Sequence, residues 1–268
     1  MNSGLPHKAK KRFGQNFLHD PMVIQRIIQV INPRSGEHLV EIGPGQGAIT
    51  RELLRAAGKL DAIELDRDLL HQLATECGHL GELNIINADA LRFDFCSLAT
   101  DDRPLRLVGN LPYNISTPIL FHLMGHAGCI RDMHFMLQKE VVDRMAAGPG
   151  SKTYGRLSVM MQAWCRIDPL FEIGPGAFKP APKVDSAIVR LIPYDKAPYP
   201  VDDSAYFAGL VAAAFSQRRK TLRNSLRQLV SRETMEAAGI DPASRAERLS
   251  LEDFTRLSNL ACKTPPPA

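Results

Sequence analysis

What the chain lacks narrows its chemistry before any motif is read. Its five cysteines, Cys77, Cys96, Cys129, Cys165 and Cys262, are scattered, odd in number and without a C-x-x-C pair. That argues against a disulfide framework and against a structural zinc site, so no metal is expected. No apolar run approaches the length of a membrane span, and the basic N-terminal stretch has no apolar segment behind it to act as a secretory leader. The reducing cytoplasm is the expected compartment, with no membrane association. There is no internal repeat. A phosphate-binding loop is also missing: Gly148-Pro149-Gly150-Ser151-Lys152-Thr153-Tyr154-Gly155 has the glycines and the serine but not the strand-to-helix spacing. It reads as a flexible loop, available as a lid or an RNA contact.

What is present suits a globular protein with a real core. The 268 residues are 44% hydrophobic and 23% charged, enough for one large domain or a main domain with a small one. Net charge is only +4, but the cations cluster at Lys8-Ala9-Lys10-Lys11-Arg12 and at Arg218-Arg219-Lys220. Two basic clusters suggest a polyanion partner, although a charge run is more often simply a solvated face.

The chain reads as alternating strands and helices up to about residue 195. Residues 1–13 form a basic arm expected to be disordered. Asp20-Pro21 is an N-cap and N1 pair, followed by Val23, Ile27, Ile28 and Ile31 at helical spacing. Leu39-Val40-Glu41-Ile42 is a buried strand that opens into Gly43-Pro44-Gly45-Gln46-Gly47 and then a helix, the first unit of a nucleotide-binding α/β fold. The spacing is G-x-G-x-G, not the dinucleotide G-x-G-x-x-G. Pro44 also removes an N–H that a pyrophosphate would use, so a nucleoside without phosphates fits better. Glu64 ends the next strand about twenty residues on, at the usual distance for a carboxylate that receives the ribose hydroxyls. Asp89, after strand Leu83–Ile86, is placed to accept from an adenine amino group.

The fourth strand, Leu105–Val108, leads into Gly109-Asn110-Leu111-Pro112-Tyr113. An amide acceptor, a stiffened backbone and an aromatic ring follow one another at a strand end, where open α/β sheets bind ligands. Together they suit the exocyclic amine of a nucleobase. Taken alone, the same residues are equally a tight turn around a core tyrosine. A fifth strand is expected over Met133–Leu137, and Phe171–Ile173 and Ser186–Ile192 are expected to pair as antiparallel edge strands. Between those two, Phe178 lies in a proline-stiffened loop, as an anchor into the core or as a second face for a stacked base. Pro193–Pro200 marks a boundary. Beyond it the pattern is helical, and one helix from Phe207 to about Val230 would carry Arg219, Lys220, Arg223 and Arg227 as a basic stripe suited to an RNA backbone. A small helical RNA-binding domain over 200–262 and a disordered tail over 263–268 complete the reading.

In this order the pieces resemble the S-adenosylmethionine-dependent methyltransferases. More closely they resemble the ribosomal RNA adenine N6-dimethyltransferases, through Gly14–Leu18, Glu41–Gly47, Glu64, Asn87–Ala90, Asn110–Tyr113 and Phe178–Ser186. Phe178-Lys179-Pro180-Ala181-Pro182-Lys183-Val184-Asp185-Ser186 and the helical C-terminal part are similar to the small-subunit branch, the KsgA type. The resemblance implies a Rossmann-like α/β domain (14–195) with a mostly parallel seven-stranded sheet, and a small all-helical C-terminal domain. It implies S-adenosyl-L-methionine held by Asn16, Leu18, Gly43, Gly45, Glu64, Asp89 and Asn110, and a target adenine held by Asn110, Leu111, Pro112, Tyr113 and Phe178. The implied substrate is a pair of adjacent adenines near the 3′ end of 16S rRNA in the immature 30S subunit, each methylated twice by a monomeric enzyme. A large-subunit 23S rRNA dimethyltransferase and a non-catalytic ribosome assembly factor are the alternatives.

Overall fold

A computed structural model describes residues 15–264 of the chain. The basic arm and most of the tail lie outside the described residues. The described residues divide into two compact units, one of residues 15–142 and 168–193, the other of residues 143–167 and 194–264.

In the first unit, strand β1 (Phe17–Leu18) precedes helix α1 (Pro21–Ile31). The Asp20 carboxylate accepts the N–H groups of Met22 and Val23, Pro21 fills the first helical turn, and Asn32 ends the helix in the left-handed region. An aspartate cap of this kind contributes about 1 kcal/mol. Strand β2 (His38–Ile42), helix α2 (Thr50–Ala57), strand β3 (Lys59–Glu64), helix α3 (Arg67–Cys77) and strand β4 (Glu82–Asn87) follow. Then come β5 (Leu105–Asn110), α4 (Ser116–Met124), β6 (Ile130–Gln138) and α5 (Lys139–Ala146). After α6 (Arg156–Trp164) in the second unit, β7 (Cys165–Ile173), β8 (Phe178–Lys179) and β9 (Ser186–Pro193) complete the strands.

Seven strands form one sheet in the order β4-β3-β2-β5-β6-β9-β7, and β1 pairs antiparallel with β8 in a separate two-stranded sheet. Strands β2 to β6 are mutually parallel where they pair, while β9 runs antiparallel to β6. The edge-strand expectation is corrected here: β9 lies between β6 and β7, so of those two expected edge strands β7 alone is one. Residues Ala187, Ile188, Val189 and Leu191 of β9 are buried, as a run apolar on both faces requires of an interior strand. The chain moves outward from β2 through β3 to β4, then crosses back to place β5 on the other side of β2. Strand order therefore reverses between β2 and β5, and in open α/β sheets ligands bind at the carboxyl ends of strands at such a switch point.

A buried charge network braces the opposite ends of these strands. Arg106 on β5 donates to Asp132 of β6 at 3.0 Å, to Glu37 at 2.6 Å and to the Ile31 carbonyl at the end of α1 at 2.7 Å. Burial opposes ionisation of both acids, yet hydrogen bonds from Arg106 to Glu37, and from His134 and Arg106 to Asp132, hold each carboxyl below its usual range.

The reading of the cysteines also needs correcting. Cys96 and Cys129 form a disulfide although 33 residues apart, because two short 3-10 turns, Phe95–Leu98 and Ala127–Cys129, bring their Cα atoms to 5.6 Å. No local Cys spacing could signal a pairing made by tertiary approach.

The second unit packs α6 with α7 (Ser204–Ala214) and α10 (Leu251–Ala261), joined by α8 (Leu222–Ser225) and α9 (Arg232–Ala237). It includes residues 143–167, a stretch that the sequence reading assigns to the α/β domain, because Val159, Met160, Met161 and Ala163 of α6 are buried. Asp203, Ser231 and Ser250 cap α7, α9 and α10. The expected single helix from Phe207 to Val230 is two: α7 stops at Ala214, and α8 begins at Leu222. Ser216 to Thr221 offer no apolar side chain to bury and carry three adjacent cations, so no packing sustains a helix there. Among the described residues no helix is long and apolar enough to cross a membrane.

Replacing Arg106 with Met should remove the buried cation shared by Asp132 and Glu37, leaving Glu37 with Arg131 at 3.0 Å and Asp132 with His134 at 3.6 Å. Denaturant unfolding is expected to show a loss of about 3–5 kcal/mol; a loss below about 1 kcal/mol, the scale of an exposed pair, would contradict the bracing role.

Candidate active site

The ends of β2 and β5 meet closely because of one glycine. A Cβ at Gly109 would stand 2.6 Å from the Ile42 carbonyl oxygen, so only glycine lets the two strands approach there. Asn110, the next residue, is thereby brought beside the glycine turn that follows β2. In that turn Gly43, Gly45 and Gly47 all have positive φ, which side chains rarely adopt.

A cavity of about 360 Å³ lies in this crevice. It is lined by residues 15–18, by Glu41 to Gln46 and by Ile63 to Leu65. Ala48, Ile49, Ala88 to Leu91 and Asn110 to Ile115 complete the wall. Three carboxylates, Glu41, Glu64 and Asp89, face it, and no Lys or Arg is among its described lining residues. Glu64 is 7% exposed, and its two oxygens accept the N–H of Asp66 at 2.8 Å and of Gly45 at 3.2 Å. Each oxygen keeps a lone pair for a ligand hydroxyl. Burial raises the Glu64 pKa against those two hydrogen bonds, and the charge on Asp66 adds to the rise. Asp89 accepts the Leu91 N–H at 3.0 Å through one oxygen, which orients the carboxylate.

Asn110 is held by its own amide. Its Nδ2 donates to the Asn16 backbone carbonyl at 2.9 Å, leaving the carbonyl oxygen of the side chain as an acceptor. Leu111 is fully buried, and its N–H donates to the Met136 carbonyl at 3.2 Å. The Pro112 carbonyl accepts from Ile115 N–H and from the Ser116 hydroxyl, closing the turn into α4. The Tyr113 hydroxyl lies 2.7 Å from Ser186 Oγ, and burial pushes the phenol pKa up despite that bond.

The structure thus brings Asn16, Leu18, Gly43, Gly45, Glu64, Asp89, Asn110, Leu111, Pro112 and Tyr113 to one cavity. Phe178 is placed differently. Its ring is 3% exposed, packed in a cluster with Leu18, Ala177 and Ile188, and it is not among the cavity-lining residues. Its backbone pairs with Leu18, which does line the cavity, so Phe178 backs the wall and does not form it. In the second unit Arg219, Lys220, Arg223 and Arg227 are all exposed, distributed over a turn, α8 and the turn after it instead of one helical stripe. Nearby in sequence, Arg218 donates to the Lys152 carbonyl at 2.7 Å, and the Gly150 N–H donates to the Glu247 carbonyl at 2.7 Å. The 148–155 loop is therefore tied within its unit.

Three features of the cavity escape sequence reading. The Asn16 carbonyl acts through the backbone, Gly109 through the absence of a side chain, and Ser186 through an approach across 73 positions. Asn16 and Ser186 stand in the quoted motifs, but these contacts of theirs are not legible there; Gly109 directly precedes the Asn-Leu-Pro-Tyr stretch.

Residues 6–263 match the family described as Ribosomal RNA adenine dimethylase. The chain belongs to that family. It is 56% identical over 258 residues to the Ribosomal RNA small subunit methyltransferase A of Hahella chejuensis, covering 96% of this chain and 94% of that one. Identity is 58% over 260 residues to the protein of the same name from Xanthomonas campestris pv. campestris strain 8004, covering 97% and 99%. Among solved structures, a dimethyladenosine transferase from Plasmodium falciparum is similar with a TM-score of 0.77 at 26% identity, over 90% of this chain and 95% of that one. The 23S rRNA methyltransferase ErmE is similar with a TM-score of 0.69 at 25% identity, over 92% and 100%. The Rossmann-like methyltransferase fold with a helical C-terminal part agrees with both.

In this dimethylase the Glu41 carboxyl lines the cavity and is buried. Burial pushes its pKa up to about 7, against a 2.6 Å hydrogen bond from Thr50 Oγ1 and with the nearby Glu64 charge adding to the rise. A raised carboxyl pKa means that the folded state holds the proton longer than the unfolded one. Stability should therefore fall as pH rises from the unfolded value, about 4.5, through about 7. Glu41→Gln keeps an acceptor for Thr50 and should flatten this slope in melting temperature against pH; an unchanged slope would contradict the assignment.

Proposed function

We propose that the chain transfers methyl groups from S-adenosyl-L-methionine to N6 of two adjacent adenines in the 3′-terminal hairpin loop of 16S rRNA, giving N6,N6-dimethyladenines in the immature 30S subunit. The enzyme acts in the cytoplasm as a monomer. The observation that carries this reading is the charge of the cavity: carboxylates and amides line it without a single described cation. A dinucleotide pyrophosphate would be repelled there, whereas a sulfonium nucleoside is favoured. The residues present fit such a group. Glu64, with both oxygens oriented by backbone N–H groups, suits two ribose hydroxyls. Asp89 suits an adenine amine, and Ile63, Leu65, Ala90 and Leu91 give apolar walls for a purine ring. Gly43 and Gly45 let the backbone approach, and the Asn16 and Leu18 stretch closes the side.

When bound, the cofactor supplies an electrophilic methyl group on sulfur. The protein's own work is to make N6 a better nucleophile and to aim it. The N6 lone pair of adenine is delocalised into the ring. The Asn110 Oδ1 and the Leu111 carbonyl accept its hydrogens and draw the nitrogen towards sp3, while Pro112 holds that backbone direction. Tyr113 stacks on the base, and a base–aromatic stack contributes about 1–3 kcal/mol. Phe178 supports this arrangement through Leu18. Catalysis is then positioning and electrostatics; the methylated amine is acidic and loses its proton to water. A neutral amide at Asn110 also suits a second transfer, since monomethylated N6 has one hydrogen left. Arg219, Lys220, Arg223 and Arg227 supply phosphate contacts that orient the RNA without reading bases.

Labelled methyl transfer from S-adenosylmethionine tests this, with immature 30S particles and 23S rRNA offered in parallel. Label is expected on adjacent 16S adenines, and Asn110→Ala should lose roughly 10²–10³-fold in rate, the scale of removing one key polar contact, with the fold intact. Label on 23S rRNA, or near-normal turnover by the variant, would contradict the reading.

A further inference from the structure

We propose that Ser186 is a positioning residue for methyl transfer: its hydroxyl sets the attitude of the Tyr113 ring against which the target adenine stacks. The inference rests on the function proposed above and extends it to a residue outside the cavity. Tyr113 lies in an irregular turn between β5 and α4, so no secondary structure of its own fixes the ring. Rotation about the bond to a tyrosine ring is a broad, shallow torsion. Ser186, in contrast, is immobilised. It is 0% exposed, it is the first residue of β9, and its backbone stands opposite Gln138 of β6. The preceding carbonyl, of Asp185, accepts the Lys139 N–H at 2.9 Å.

The 2.7 Å bond between the two hydroxyls therefore ties a mobile ring to a rigid strand. Both the O–H bond and the acceptor lone pair of a phenol prefer the ring plane. A fixed partner thus restrains the ring's rotation as well as the place of its oxygen. The tie links the Asn-Leu-Pro-Tyr turn to the proline-stiffened loop 73 positions later. A target ring displaced by about 1 Å loses on the order of 10²-fold in rate, so modest slackening should be measurable.

A purely structural serine would satisfy a buried hydroxyl and do nothing else. Single-turnover methyl transfer by Ser186→Ala, Tyr113→Phe and the double variant separates the two cases, with S-adenosylmethionine affinity and melting temperature measured beside it. The proposal expects each single variant to lose about tenfold in rate with cofactor affinity unchanged, and the double to be no slower than the slower single. Losses that multiply, a normal rate for Ser186→Ala, or cofactor affinity falling with the rate would overturn it. Should Ser186→Ala fail to fold, Tyr113→Phe alone decides, since a normal rate there removes the tie from catalysis. Failure of the wild-type protein to label 16S adenines would instead overturn the function, a result read before any variant is compared.

Discussion

The hydrogen bond from the Asn110 side chain to the Asn16 carbonyl is the constraint on which the site depends. An asparagine amide is a donor at one end and an acceptor at the other, and either could face a ligand. By committing its N–H to a backbone carbonyl 94 residues away, the protein leaves the oxygen to face the cavity. That bond requires the N-terminal segment to lie across the ends of the strands. The pairing of Phe17–Leu18 with Phe178–Lys179 and the bond from the His19 N–H to the Ala177 carbonyl keep it there. The buried Phe178 ring is in this view part of the brace that holds Leu18, and through Leu18 the segment, in place.

Charge is the second organising feature, and it is distributed by depth. Arg106 joins Asp132 and Glu37 at one end of the sheet, where the acids sit below their usual pKa. At the other end Glu41 and Glu64 have raised values because burial deprives them of water and no cation compensates. Carboxylates left without a positive partner are costly to a folded protein, and their concentration around one cavity marks that cavity as the candidate functional site. The same sheet therefore neutralises its acids where they brace and leaves them uncompensated at the candidate site.

Much of this was legible in order along the chain. Asp20-Pro21 announced α1, the G-x-G-x-G turn announced the strand-to-helix crossing, and the distance to Glu64 announced a carboxylate at the cavity, because each is a local rule with a local cause. What was hidden depends on tertiary approach. The Cys96–Cys129 bridge, the grouping of α6 with the C-terminal helices and the meeting of Tyr113 with Ser186 each join residues with no sequence relation. The helix expected from Phe207 to Val230 failed for a different reason. Leu222 and Leu226 do fall in phase with Val211 and Phe215, but periodicity counts apolar residues and not the polar gap of Ser216 to Thr221 between them. Phe178 was ambiguous by nature, since an aromatic ring serves equally in a core or on a base, and only burial distinguishes the two.

The most direct measurement is a crystal structure with S-adenosylhomocysteine and adenosine both bound. The account predicts the ribose on Glu64, the cofactor sulfur beside Asn110, and the adenosine base flat on Tyr113 with N6 directed at the Asn110 oxygen. A cofactor seated away from Asn110, or an Asn110 amide turned so that its N–H faces the base, would contradict it.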